Sequence, residues 1–285
     1  MGKGFMKKHL FHIIICFSFF LVNCSSLYYH PTKETYFTPK QMGFSYTPTF
    51  LTTKDGVKLN VWRIYSKQQE TPKAVILQFH GNGQNMSAHF LSLVWLVNHG
   101  YELIVFDYRG YGESEGDPDP EDIIEDSKLV LDYALKETRE RGSKLIVYGQ
   151  SLGGAIAMRS VADWKDKNEI VLLCVDGSFP SYREVAKQTM NHVVFPPMGN
   201  LFSWVFHDHT SPRDVIANLS PIPLLIIHGT EDTVVFFENG KQIFCLAKEP
   251  KVFWEIRGGG HVDWMNLGRS KFAKDFLVLL NRHLY

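Results

Sequence analysis

From residue 74 onward the chain repeats one unit, a short continuous apolar run followed by a longer stretch with apolar positions at helical spacing. The runs at 74–79, 103–106, 144–148, 170–175, 224–227 and 252–255 read as strands. The stretches at 86–98, 121–137, 151–162, 237–246 and 270–283 read as helices. Runs such as Leu224-Leu225-Ile226-Ile227, apolar at every position, are what a parallel sheet covered by helices on both faces requires. Ahead of this repeat, two extended segments at 44–53 and 57–65 flank Lys54-Asp55-Gly56, and Asp-Gly between extended runs signals a hairpin. The predicted architecture is α/β, a mostly parallel doubly wound sheet preceded by an antiparallel hairpin.

The interval 177–221 breaks the alternation and holds the aromatics Phe179, Tyr182, Phe195, Phe202, Trp204 and Phe206. An insertion after a strand's carboxyl end lies where ligands bind in such sheets, so it reads as a small lid. Phe179, Tyr182 and Trp204 are its candidate substrate contacts. A helical pair that completes the core is the competing reading.

The first residues form a separate unit. Lys3, Lys7 and Lys8 precede an apolar run at 10–22, and Asn23-Cys24-Ser25-Ser26 follows it. This is the layout of a secretory signal at 1–23, and the run is shorter than the ~20 residues that cross a bilayer as a helix. Leu21-Val22-Asn23-Cys24 resembles a bacterial lipobox, although Asn23 replaces the small residue usual before the cysteine. Cys24 is therefore the expected lipidation site, and membrane association through it the expected location. Plain signal cleavage with secretion and an uncleaved anchor are the alternatives. Residues 24–43, polar and containing proline, read as a linker to one domain at 44–285.

Composition narrows the partners more than it identifies one. The 285 residues carry 45% hydrophobic and 21% charged positions, enough for one sizeable core. Thirty basic and 30 acidic residues cancel, and cleavage before Cys24 would leave 27 basic against 30 acidic. With no basic face or like-charge run, nucleic acid is not an expected partner. Cys174 and Cys245 sit in apolar runs and read as inert core thiols. There is no CxxC and no HExxH, so no metal site is expected.

The chemistry centres on Gly149-Gln150-Ser151-Leu152-Gly153, which joins the strand at 144–148 to a helix rich in small residues. That is the context of a nucleophile elbow, in which the serine occupies a strained turn and the flanking glycines allow close backbone approach. Ser151 is the candidate nucleophile. Acyl transfer also needs a base and an acid that orients it, following the serine in the order Asp or Glu, then His. Asp232 follows the strand at 224–227, and His261 follows Gly258-Gly259-Gly260 after the last strand. Asp176, at the end of the strand at 170–175, is the alternative acid. The oxyanion needs two donors: the Leu152 amide is one, and the Asn82 amide in His80-Gly81-Asn82-Gly83-Gln84-Asn85 the other, with Gly83 as its alternative. His80 and His228 each precede a glycine at a strand end and read as structural. The Gly110-Tyr111-Gly112 segment has its third glycine one residue too late for a dinucleotide fingerprint, and reads as a structural loop bordering the site.

Taken together, His80-Gly81-Asn82-Gly83, Asp107-Tyr108-Arg109-Gly110-Tyr111-Gly112, Gly149-Gln150-Ser151-Leu152-Gly153, His228-Gly229-Thr230-Glu231-Asp232 and Gly260-His261 resemble the α/β-hydrolase superfamily. They most resemble its group with an HGN-type oxyanion loop, which includes serine aminopeptidase-like hydrolases and depalmitoylase-like thioesterases. Gly83-Gln84 departs from the smaller pair that group usually carries before the asparagine. The resemblance implies a Ser151, Asp232, His261 triad, no cofactor, and hydrolysis of a small-molecule or lipid acyl ester or thioester. A peptidase and a non-catalytic surface lipoprotein that retains the fold are the competing expectations.

Overall fold

The computed structural model describes residues 29–68, 71–193, 199–200, 203, 206, 208–265 and 270–284. The first 28 residues, with the proposed signal and Cys24, and the aromatics Phe195, Phe202 and Trp204 lie outside the described residues.

Eight strands form one sheet: β1 (Tyr46–Thr52), β2 (Lys58–Ile64), β3 (Val75–Phe79), β4 (Glu102–Phe106), β5 (Leu145–Gln150), β6 (Ile170–Asp176), β7 (Leu224–Gly229) and β8 (Lys251–Ile256). Their spatial order is β1-β2-β4-β3-β5-β6-β7-β8. β1 pairs antiparallel with β2, and β2 antiparallel with β4. Every other pairing is parallel. The turn between β1 and β2 is closed by Gly56 at φ +89° and by Thr53 Oγ1, which accepts the Val57 N–H at 2.9 Å.

Among the described residues, the α-helices are α1 (Met86–His89), α2 (Pro120–Glu140), α3 (Leu152–Ala162), α4 (Tyr182–Val193), α5 (Glu238–Leu246) and α6 (Ser270–Leu284). Because side chains alternate across a strand, the sheet feeds two cores. Val75, Leu77, Val147, Val175 and Ile226 pack with α2, α3 and α5, whereas Ile76, Ile146, Tyr148, Leu172 and Ile227 pack with α6 and the 86–97 segment. This explains why the central strands are apolar at every position.

Two expectations need correction. The helix expected over 86–98 is one α turn followed by 3₁₀ turns at Phe90–Ser92 and Val94–His99. Buried Phe90, Leu93 and Leu96 recur every third residue, the 3₁₀ period, and the Leu93 and Leu96 amides bond to the carbonyls three residues back at 3.1 and 2.9 Å. Cys245 is exposed, while Cys174 is buried. Cys245 lies two residues from buried Ile243 on α5, which turns it to the opposite face of the helix.

The Gly110-Tyr111-Gly112 segment is packed against neighbouring side chains. A Cβ at Gly112 would meet Asp107 Oδ2 at 1.9 Å, and Arg109 beside it is bound to Asp126 and Asp122 at 2.7 and 2.6 Å.

Candidate active site

The site forms at the carboxyl ends of β3, β5, β6, β7 and β8. Ser151 stands between β5 and α3 at φ 52° and ψ −118°, a conformation uncommon for a residue with a Cβ. What holds it there is close packing on both sides. A Cβ at Gly149 would lie 2.6 Å from the Gly153 carbonyl oxygen, and one at Gly153 would lie 2.3 Å from that of Phe79. The first contact is the mutual approach expected from the motif. The second shows that the far glycine is required by the end of β3 instead. The Ser151 N–H donates to the Asp176 carbonyl at 2.8 Å, which fixes the turn to β6.

His261 and Asp232 meet on loops after β8 and β7. His261 Nδ1 lies 2.7 Å from Asp232 Oδ2, while Asp232 Oδ1 accepts the Val234 and Val235 amides at 2.9 Å each. His228 Nε2 lies 3.4 Å from the same Oδ2 and 2.7 Å from the Val235 carbonyl, so this buried ring braces the Asp232 turn. Burial opposes ionisation of Asp232, but the bonds from His228, His261 and the Val235 amide outweigh it and hold the carboxyl well below its ordinary range. An ionised Asp232 can only accept, so His261 carries its proton on Nδ1 and leaves Nε2 with a lone pair.

The Asp176-Gly177 backbone touches both the elbow and the histidine. The Asp176 carbonyl takes the Ser151 N–H, and a Cβ on Gly177, at φ +58°, would sit 3.3 Å from both Cε1 and Nδ1 of His261. Val262, the next residue after the histidine, has φ 51°, a rare conformation for a β-branched side chain and a mark of a constrained loop. The Asp176 carboxylate has other partners. It accepts from the Tyr148 hydroxyl and from Trp264 Nε1, each at 2.8 Å, and burial pushes it up to about 6. Of the two acids offered by the sequence, the structure sets Asp232 against His261 and Asp176 against Tyr148 and Trp264.

The loop after β3 carries the expected oxyanion donor. The Gly83 N–H donates to Asn82 Oδ1 at 2.9 Å, so the alternative donor is already engaged by its neighbour. Leu152 opens α3, where backbone N–H groups and the helix dipole favour negative charge. His80 is buried with Nδ1 2.8 Å from the Gly81 carbonyl oxygen, and burial together with the nearby His89 pushes it down to about 3. Asp107, 3.6 Å from His80 Nε2, is pushed up by burial to about 7.

Phe179 and Tyr182 are not on an open lid. Both are buried in the main core, their rings 5.2 Å apart, because α4 starts directly against the sheet's carboxyl edge. Trp204 lies outside the described residues. Two sets of neighbours escaped the sequence reading. His89 Cε1 would lie 3.2 Å from a Cβ on Gly81, the same Cβ that would be 3.6 Å from the Ser151 Cβ, and its Nε2 lies 3.2 Å from the Gly83 carbonyl oxygen. No spacing rule marks a histidine within an apolar helical stretch. The second set is the segment 29–36, read as linker, where the His30 N–H bonds to Asn82 of the oxyanion loop and Tyr29 is buried in the main core. Its clustered aromatics Tyr28, Tyr29, Tyr36 and Phe37 were the available signal.

A family profile described as serine aminopeptidase, S33, matches residues 70–213. The protein YfhR of Salmonella typhi is 33% identical over 279 residues, covering 94% of this chain and 91% of that protein. The chain belongs to the serine aminopeptidase S33 family of α/β hydrolases. Within reach of the family, the lysophosphatidylserine lipase ABHD12 of Danio rerio is 29% identical over 239 residues, covering 75% of this chain and 62% of the relative. Among solved structures, the Pyrococcus furiosus esterase Pf2001 superposes with a TM-score of 0.73 at 22% identity, covering 89% of this chain and 97% of that one. The eight-stranded, mostly parallel sheet is that of the α/β-hydrolase fold.

Proposed function

We propose that the protein is a serine hydrolase that cleaves an acyl ester or thioester through an acyl-enzyme on Ser151. The observation that carries this reading is the 2.7 Å contact of His261 Nδ1 with Asp232, on a ring packed against the Gly177 backbone beside the elbow. In the first half-reaction the Ser151 oxygen bonds to the substrate carbonyl carbon and its proton passes to His261 Nε2. The carbonyl electrons move onto the oxygen, which the Leu152 and Asn82 amides receive. Collapse expels the alcohol or thiol, which takes the proton from His261. Water then repeats the sequence on the acyl-enzyme and frees the acid. The lipase among the relatives and the esterase among the structural neighbours favour an ester over a peptide.

The substrate is an acyl ester presented at a membrane surface. Cys24 precedes Tyr29 by five residues, and a fully extended chain spans roughly 3.3–3.6 Å per residue, so the Cα of Cys24 can lie no farther than about 18 Å from that of Tyr29. Tyr29 is buried beside Tyr182 at the site's edge. Lipidation at Cys24 of an exported lipoprotein would tether the chain to the bilayer close to this part of the domain.

Ser151→Ala is expected to reduce turnover of p-nitrophenyl butyrate by about 10⁴-fold or more, as removal of a triad member does when the group acts as a unit. Turnover by that variant close to wild type would overturn the reading.

A further inference from the structure

The oxyanion loop is in a conformation that needs outside support. Gly83 and Gln84 lie at φ 71° and 53°, and glutamine rarely adopts the latter. Support comes from the segment that directly follows residue 28. The His30 N–H donates to Asn82 Oδ1 at 2.9 Å and to the Tyr111 hydroxyl oxygen at 3.1 Å, and that hydroxyl in turn donates to Asn82 Oδ1 at 2.8 Å. With the Gly83 amide, three donors converge on one carboxamide oxygen. Farther along, the Thr32 carbonyl accepts the Gly112 N–H at 2.9 Å and Asn85 Nδ2 at 3.0 Å, and Ser87 Oγ accepts the Tyr36 N–H at 2.9 Å. At its start the segment is pinned by Tyr29, only 2% exposed and hydrogen-bonded to the side chain of Tyr182.

We propose that residues 29–36 form a strap which, through the His30 N–H and the Tyr111 hydroxyl, positions Asn82 so that its amide meets the developing oxyanion. The proposal rests on the serine-hydrolase reading above and deepens it. Tyr29, His30 and Tyr111 are positioning residues that act through Asn82. A carboxamide oxygen saturated by three donors has one orientation, and the backbone of its own residue is fixed with it.

The test measures steady-state hydrolysis of p-nitrophenyl butyrate, inhibition by an alkyl trifluoromethyl ketone, and thermal stability for wild type, Tyr111→Phe and Tyr29→Ala in the full chain. A serine adduct of the ketone carries an oxyanion, and acylation and deacylation of the ester each pass through one, so a misplaced donor slows both steps together and leaves KM for the ester unchanged. Loss of a whole oxyanion donor costs about 10²–10³ in kcat, so a misplaced donor is expected to cost about 10-fold. The expected result is a ~10-fold lower kcat, a matching rise in the ketone's inhibition constant and an unchanged KM in both variants. Tyr111→Phe removes only a hydroxyl, which guards against simple unfolding. Wild-type kcat and inhibition in both folded variants, or a change confined to KM, would overturn the strap while leaving the hydrolase reading intact. A wild-type protein that neither turns over the ester nor binds the ketone would overturn the hydrolase reading itself.

Discussion

Asp176 and Asp232 stand at the ends of neighbouring strands, and their surroundings drive them in opposite directions. Asp232 receives two backbone amides and the His261 ring, and its carboxyl is held low. Asp176 is enclosed by Tyr148 and Trp264, and burial raises it to about 6. The two therefore contribute to stability with opposite signs. A lowered carboxyl contributes stability that is present at neutral pH and lost as pH falls into the acid range. A raised one binds a proton in the folded state first, so its contribution falls as pH rises from about 4 to about 6. Asp176→Asn should flatten that part of the dependence of Tm on pH, while retaining an acceptor for Trp264 and most of the proposed hydrolase activity. Asp232→Asn should lower kcat by roughly 10⁴-fold with little change in fold, since the wrong tautomer of His261 is then favoured. The reverse pattern in kcat would make Asp176 the acid. Both carboxylates were legible as candidates, because each follows an apolar run. The motif order favoured Asp232 over Asp176, but the enclosure of Asp176 was not legible, because Trp264 folds back on it from 88 residues away along the chain.

At the scale of elements, the strand-turn-helix unit around Ser151 is the part most firmly encoded in local sequence. An apolar run of strand length, a glycine on each side of the serine and a small-residue helix admit few other arrangements. The tight fit gives a direct prediction. Gly153→Ala would set a methyl 2.3 Å from the Phe79 carbonyl oxygen, forcing β3 and α3 apart. Overpacking of this kind costs about 1–3 kcal/mol or more, and a domain of this size loses roughly 2–4 °C in Tm per kcal/mol. Calorimetry should therefore show a drop of several degrees, and an unchanged Tm would contradict the packing described. The 86–99 segment was less legible. Its apolar positions satisfy both the 3.6 and the 3.0 period, and only packing of Phe90, Leu93 and Leu96 against the sheet selects the tighter helix.

Across the whole molecule, the family and the α/β sheet follow from motifs spread in order from residue 80 to residue 261, whereas the role of 29–36 does not. A polar, Pro-containing stretch without periodicity reads as linker, since its contacts are backbone hydrogen bonds made to a loop about 50 residues away. Those contacts tie the N-terminal region to the site. If the chain is held at a bilayer through Cys24, Cys24→Ala should move it from the membrane to the soluble fraction of an expression host able to process lipoproteins. Retention in the membrane fraction would count against lipidation at that residue. The central claim is the activated serine. It is tested most directly by reacting the purified protein with a biotinylated fluorophosphonate and locating the adduct by peptide mass spectrometry. The account predicts a single adduct on Ser151 that is absent in His261→Ala. Folded protein that stays unlabelled, or an adduct on another residue, would contradict it.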